Sequence, residues 1–167
     1  MAAPIVDELN ELTELEYDAV AACEQAIARI DDTAGDVRAA LESCRSEHER
    51  HITELQRVVV SLGGTPVDRG RDGATLAGPP GTLDALKAMQ GHETLTNKAY
   101  SKAADLRMPL SARQVVGKNF EDERRHLAAI KAHIARFDES EVLPEPVEDI
   151  DEESDTDRDA SPEVPAP

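Results

Sequence analysis

Six side chains able to hold a divalent cation interrupt otherwise apolar helical faces. Glu16 falls between Leu12 and Ala19 in the series Leu9, Leu12, Ala19, Cys23, Ala26 and Ile30. His48 and His51 take consecutive positions in a second series, which begins Val37, Leu41, Cys44 and resumes at Leu55, Val58 and Leu62. Glu93 lies between Met89 and Thr96, and Glu123 and His126 lie between Val116 and Ile130. Steps of three and four put each of them on the buried stripe of an amphipathic helix. Uncompensated carboxylates are very costly in such a place. Three of them among imidazoles can be stabilised by divalent metals, whose charge cancels the mutual repulsion. Oxygen-rich coordination with imidazole suits iron or manganese, and zinc fits as well. Inward Glu and His can also satisfy one another by hydrogen bonds, which gives a metal-free polar layer instead.

Four helices are needed to present these residues, and the punctuation of the chain delimits them at about 5–30, 35–62, 82–107 and 112–137. The turn Asp31-Asp32-Thr33 ends the first, and Thr33 with Asp36 is a candidate capping box for the second. Gly63-Gly64 stops the second helix, and residues 63–81, GGTPVDRGRDGATLAGPPG, read as a connection. Pro109 breaks the third helix, and Ser111 with Gln114 is a capping box for the fourth. Each helix would be roughly 35–40 Å long. Four amphipathic helices of matched length predict an all-α, antiparallel four-helix bundle made of two hairpins. The middle connection reaches roughly 60 Å when extended. It is long enough to cross the whole bundle, although an up-down-up-down arrangement is also compatible with it.

Residues that face each other across an antiparallel hairpin are equidistant from its turn. Glu16 and His51 meet this condition about the first turn, as do Ala19 and His48. Glu93 and His126 meet it about Pro109, as do Thr96 and Glu123. Both hairpins therefore set a Glu opposite a His at mid-bundle. Di-metal bundles take one Glu from each of two helices and Glu-x-x-His from each of the others. The fourth helix supplies Glu123-x-x-His126, whereas the second has His48-x-x-His51, an imidazole at the carboxylate position. Glu47 adjoins that position and is directed to a flank. Tyr100 and Asn119 lie level with each other beside the centre; Tyr100 either orients a carboxylate or fills the core. His133 is too far along for ligation, and His92 and Glu14 are off the seam. Cys23 and Cys44 also lie level, and are expected as buried reduced thiols because neighbouring helices stand about 8–10 Å apart.

Charge divides the chain of 167 residues. Residues 138–167 hold 13 acidic residues and one basic, a net of −12, which leaves −5 of the total −17 for residues 1–137. The acidic, proline-containing tail is expected to be disordered and is a candidate arm for a protein partner. Such acidity argues against nucleic acid and anionic membranes as partners. No apolar run is long enough to span a bilayer. The first residues, MAAPIVDELNE, lack the basic and apolar regions of a signal peptide, so the expected location is cytoplasmic. Neither a Cys-x-x-Cys pair nor a phosphate-binding glycine loop is present.

The stretches VDELNELTELEYDAVAACEQAI, LQRVVVSLGGTP, GHETLTNKAYSKA and FEDERRHLAAIKAHI together resemble the ferritin-like superfamily. The resemblance is to its small bacterial bundles of uncharacterised function, related to rubrerythrin-type and stress-associated proteins, and it covers residues 5–137. It implies Glu16, Glu93, Glu123 and His126 as metal ligands, with His51 as the second helix's imidazole and His48 a departure from the pattern. It further implies two iron ions and Fe(II) oxidation or oxygen and peroxide handling in stress defence; the expected assembly is a homo-oligomer, preferentially a dimer. A metal-poor helical scaffold is the alternative.

Overall fold

A computed structural model describes residues 2–71, 75–76 and 78–141. Its elements are α1 (Ala2–Ile27), α2 (Gly35–Ser61), α3 (Thr82–Ala104) and α4 (Leu110–Glu141). They form an antiparallel four-helix bundle of two hairpins, α1–α2 and α3–α4. The expectations for the tail beyond Glu141 fall outside the described residues.

Several helix ends differ from those predicted. α1 starts at Ala2, with Pro4 in its first turn, where a missing N–H leaves no intrahelical bond unmade. It stops at Ile27, and the chain tightens so that Arg29 N–H donates to the Ala26 carbonyl at 2.9 Å. α2 is entered from Ala34 with no side-chain cap, so the Thr33–Asp36 box does not form. Thr33 sits one residue too early, and Asp36 instead accepts from Arg136 Nη2 at 2.6 Å. α4 begins at Leu110 because the Pro109 carbonyl accepts the first helical bond from Arg113 N–H at 3.0 Å. Ser111 is consequently inside the helix rather than capping it, and the helix runs beyond the predicted end at Phe137.

Gly63 and Gly64 end α2 as expected. Gly63 adopts φ +77°, a conformation glycine takes without penalty. Its N–H donates to Val60 O at 3.0 Å and that of Gly64 to Val59 O at 2.9 Å, which satisfies two terminal carbonyls in a Schellman arrangement.

The connection then climbs the length of α1. Asn10 donates from Nδ2 to Thr65 O and accepts from Val67 N–H. Arg71 donates to Glu14, and Leu76 N–H donates to Gln25 Oε1. Arg29 accepts at its carbonyl from Gly81 N–H, and Thr82 Oγ1 donates to Asp31 Oδ2. The described residues between 65 and 82 thus pair in order with residues between 10 and 31. The connection is a full-length crossover, pinned along α1 rather than a slack linker. It sends α3 in the same direction as α2, and packs α3 against α1 and α4 against α2.

The core is divided in two. One apolar cluster, which includes Cys23, Ile30, Leu41, Leu86, Met89 and Ile130, fills the end near the α1–α2 turn. The other, which includes Leu9, Leu12, Leu55, Tyr100, Met108 and Val116, fills the opposite end.

Candidate metal centre

Between these two clusters lies a polar layer to which every helix contributes. Glu16 comes from α1, His48 and His51 from α2, Glu93 from α3, and Glu123 and His126 from α4. Five of the six are fully buried and His126 is 3% exposed. The structure therefore brings together all six residues expected as ligands.

His48 Nδ1 is 2.7 Å from Glu16 Oε2, and its Nε2 is 3.3 Å from Glu93 Oε1. His51 Nδ1 lies 3.1 Å from both Glu16 Oε1 and Glu123 Oε1. Glu123 Oε1 is also 3.3 Å from His48 Nδ1 and 3.8 Å from His126 Nδ1. Two overlapping groups result: Glu16, His48, His51 and Glu123, and His48, Glu93, Glu123 and His126. Within each, one donor atom per residue lies inside 4.8 Å of the others.

The backs of two imidazoles are held by carboxylates. Asp122 Oδ2 is 3.2 Å from His51 Nε2, and Glu47 Oε2 is 2.7 Å from His126 Nε2. Each carboxylate directly precedes the metal motif of its own helix and reaches the histidine of the other. A carboxylate at Nε2 fixes the proton there, so the Nδ1 lone pair of a neutral ring faces the centre. Arg125 donates to Asp122 at 2.8 Å and to Glu47 at 2.7 Å, while Arg50 donates to Asp122 at 2.5 Å. Partial burial would raise both carboxylates, but the arginine and histidine contacts hold them below their ordinary values. Glu47 does lie on the flank as expected, and from there touches the site. Asp122 was not anticipated; the signal that finds it is the repeated acid one residue ahead of each motif.

Tyr100 is buried and its hydroxyl donates to Glu16 Oε1, so it orients a carboxylate as well as filling core. Asn119 is fully buried at the same level, and neither of its amide atoms has a hydrogen-bond partner. His133 lies away from the centre and accepts from Arg136 at 2.9 Å. His92 belongs to neither ligand group, and Glu14 accepts from Arg71. Cys23 and Cys44 are free and buried. Burial raises both thiols, that of Cys44 to about 12, and Cys23 contacts His48.

Electrostatics couple the layer. Burial would raise Glu123, yet His48 and His51 hold it well below the usual carboxylate range. Burial dominates at Glu93 and raises it to about 7. Burial opposes charge on His51 and His48 as well, but the surrounding groups outweigh it. Glu123 and Glu16 raise His51 to about 9, while Cys23, Glu123 and Glu16 raise His48 well above its ordinary value. At His126 burial prevails and the value falls.

Whether these residues fit a metal turns on the atoms left over. Glu93 Oε2, both carboxylate oxygens of Glu123 and His126 Nδ1 are buried without a hydrogen-bond partner. Glu16 pairs with Nδ1 of both His48 and His51, and Glu123 lies close to both rings. An unmet buried polar atom costs about 1–3 kcal/mol, and more when charged. Divalent cations would satisfy all four at once, and the mixed oxygen and imidazole set suits them. The residues present fit a di-metal centre.

Residues 4–78 match the family described as Domain of unknown function (DUF2383). That match covers α1, α2 and most of the crossover. No curated protein matches the sequence. Among solved structures, the chain is similar to the bacterioferritin-related protein of Bacteroides fragilis, described as a dodecameric thioferritin. Identity there is 17% and the TM-score 0.75, over 86% of this chain and 93% of that one. A ferritin-like, diiron-carboxylate protein from Bacillus anthracis aligns at 19% identity and TM-score 0.59, over 83% and 96% of the two chains. A two-domain protein of Anabaena variabilis with DJ-1/ThiJ/PfpI-like and ferritin-like domains aligns at 14% identity and TM-score 0.70. That alignment spans 100% of this chain and 42% of the other. The fold is ferritin-like.

Proposed function

We propose that the protein holds two non-haem metal ions, iron foremost, and serves Fe(II) oxidation or the handling of oxygen or peroxide. The observation that carries this reading is the set of four buried ligand atoms without a hydrogen-bond partner, supplied by three residues on two helices. Glu16 and His51 would hold one ion and Glu93 and His126 the other, with Glu123 and His48 between them. The description of the Bacillus anthracis neighbour as a diiron-carboxylate protein supports iron over manganese or zinc.

Iron held by these residues would supply one-electron redox chemistry. The chain's own residues do the rest. Asp122 and Glu47 hold His51 and His126 with Nδ1 turned inward, Tyr100 fixes Glu16, and the apolar clusters on either side keep bulk water out. In this reading the protein acts in the cytoplasm in stress defence, as a homo-oligomer and preferentially a dimer. The free thiols of Cys23 and Cys44 suit a reducing compartment.

Metal analysis after aerobic and anaerobic purification, followed by anaerobic Fe(II) titration, tests the proposal. Saturation at two ions per chain and consumption of oxygen or peroxide on exposure are expected. Negligible metal and no saturable uptake would overturn it. That result would leave the scaffold reading, in which His48, close to a carboxylate at each nitrogen, belongs to a structural polar layer. The outer carboxylates give a finer measurement. Asp122→Asn and Glu47→Gln should each weaken metal binding about 10–100-fold in competition with a chromophoric chelator. Unchanged affinity in both would mean that they only anchor the surface arginines.

A further inference from the structure

We propose that His48 is a shared ligand, its Nδ1 on one metal ion and its Nε2 on the other, so that an imidazole ring rather than a carboxylate joins the pair. This rests on the di-metal reading above and specifies its geometry. His48 is fully buried at the middle of the layer and belongs to both candidate ligand groups. Its two nitrogens face opposite halves of the site. Nδ1 lies 2.7 Å from Glu16 and 3.3 Å from Glu123, whereas Nε2 lies 3.3 Å from Glu93. Its ring centroid is 4.9 Å from that of His126 and 6.0 Å from that of His51, so it stands between the two terminal imidazoles.

No other histidine of the layer is arranged in this way. His51 and His126 have their outer nitrogens occupied by Asp122 and Glu47, so each can offer only Nδ1. His48 has no carboxylate behind it on the surface. Beside the Cys23 thiol that also touches His48, each of its nitrogens has a candidate ligand within 3.3 Å.

Charge gives the same answer. The regular plan opposes four carboxylates to two divalent cations, a balanced count. This layer has three, Glu16, Glu93 and Glu123. If metal–nitrogen bonds form at both nitrogens of His48, its N–H protons leave to bulk water and the ring becomes an imidazolate. That restores the fourth negative charge in a site that is almost wholly buried. The bridging ring also sets the spacing. With metal–nitrogen bonds of about 2.0–2.1 Å at opposite corners of an imidazole, the ions stand about 6 Å apart. Carboxylate- and oxygen-bridged pairs stand about 3.5–4 Å apart.

The full chain loaded with Zn(II) alone, which has no redox chemistry, provides the test. Native mass spectrometry counts the ions, and anomalous diffraction at the zinc edge places them. Two ions about 6 Å apart, each with a His48 nitrogen at about 2.1 Å, are expected. In His48→Glu, which restores the regular donor set, the separation should contract to about 4 Å with two ions retained. A wild-type pair at 3.5–4 Å, His48 bound to one ion only, or a single ion per chain would overturn the bridge while leaving metal binding in place. An unchanged separation in His48→Glu would also overturn it. Failure to retain any zinc, together with no Fe(II) uptake, would overturn the di-metal reading itself.

Discussion

Glu123→Gln combined with His126→Gln should abolish saturable Fe(II) uptake while leaving the helix content unchanged. Glu123 is the one carboxylate common to both candidate groups, and its Oε1 lies within 3.8 Å of three imidazole nitrogens. His126 offers the one inward nitrogen in the layer that has no hydrogen-bond partner. Residues that merely orient a ligand are worth about 10–100-fold in affinity, so loss of two ligands should exceed about 100-fold. Glutamine is chosen for its volume. It fills each site without charge, which avoids the cavity penalty that alanine would introduce at a packed position. Glu123 also balances the raised imidazoles of His48 and His51, so the metal-free double variant should melt lower than metal-free wild type. Anaerobic Fe(II) titration with a competing chelator and circular dichroism provide the two readings. Uptake close to wild type would place the metal elsewhere or nowhere.

The layer was legible because it breaks a period. Glu16, Glu93 and Glu123 stand where a step of three or four demands an apolar residue, and antiparallel hairpins put residues equidistant from a turn at one level. Those two rules alone bring Glu16 to His51 and Glu93 to His126. Residues that act from outside the seam give no such signal. Asp122 and Glu47 are acids off the seam, ordinary in a chain this acidic; only their identical offset from two motifs distinguishes them. The path of the crossover was equally hidden. It is set by Asn10, Glu14 and Gln25 on α1 and by Arg29 in the turn after it, and nothing in the spacing of these polar residues announces a strap. Helix ends were missed for a related reason. Periodicity marks buried turns, whereas the last turn of α4 past Phe137 lies where there is no core to follow.

Metal-free protein should be most stable in mildly acidic solution and lose stability as pH rises, whereas metal affinity should move the opposite way. Glu93 is raised by burial from 4.5 to about 7 in the folded chain. Its contribution is complete below 4.5 and lost as pH rises through about 7. His51 is raised from 6.5 to about 9, since Glu123 and Glu16 outweigh the opposing effect of burial. Its contribution is complete below 6.5 and lost through about 9. Both losses run in the same direction. Glu123, held low against burial by His48 and His51, contributes above 4.5 and fails as pH falls toward its depressed value. Glu123 reaches its full contribution at about 4.5, where Glu93 begins to lose its own, so on these three groups the optimum lies near 4.5. A shift of this size in one group is worth about 3 kcal/mol. Because Glu93 and His51 share partners, the total fall from pH 5 to 9 should stay near that figure rather than double it. Metal must displace the same protons, so Zn(II) or Fe(II) affinity rises across the window in which the metal-free fold weakens. Urea unfolding of chelator-treated protein at pH 5, 7 and 9, with and without Zn(II), measures both slopes. General repulsion in an acidic chain also grows with pH, and Glu93→Gln separates the two contributions. In that variant the portion of the slope below about pH 7 should vanish while the portion due to His51 persists. A metal-free wild type that is more stable at pH 9 than at pH 6 would mean that Glu93 and His51 do not carry those protons in the folded bundle.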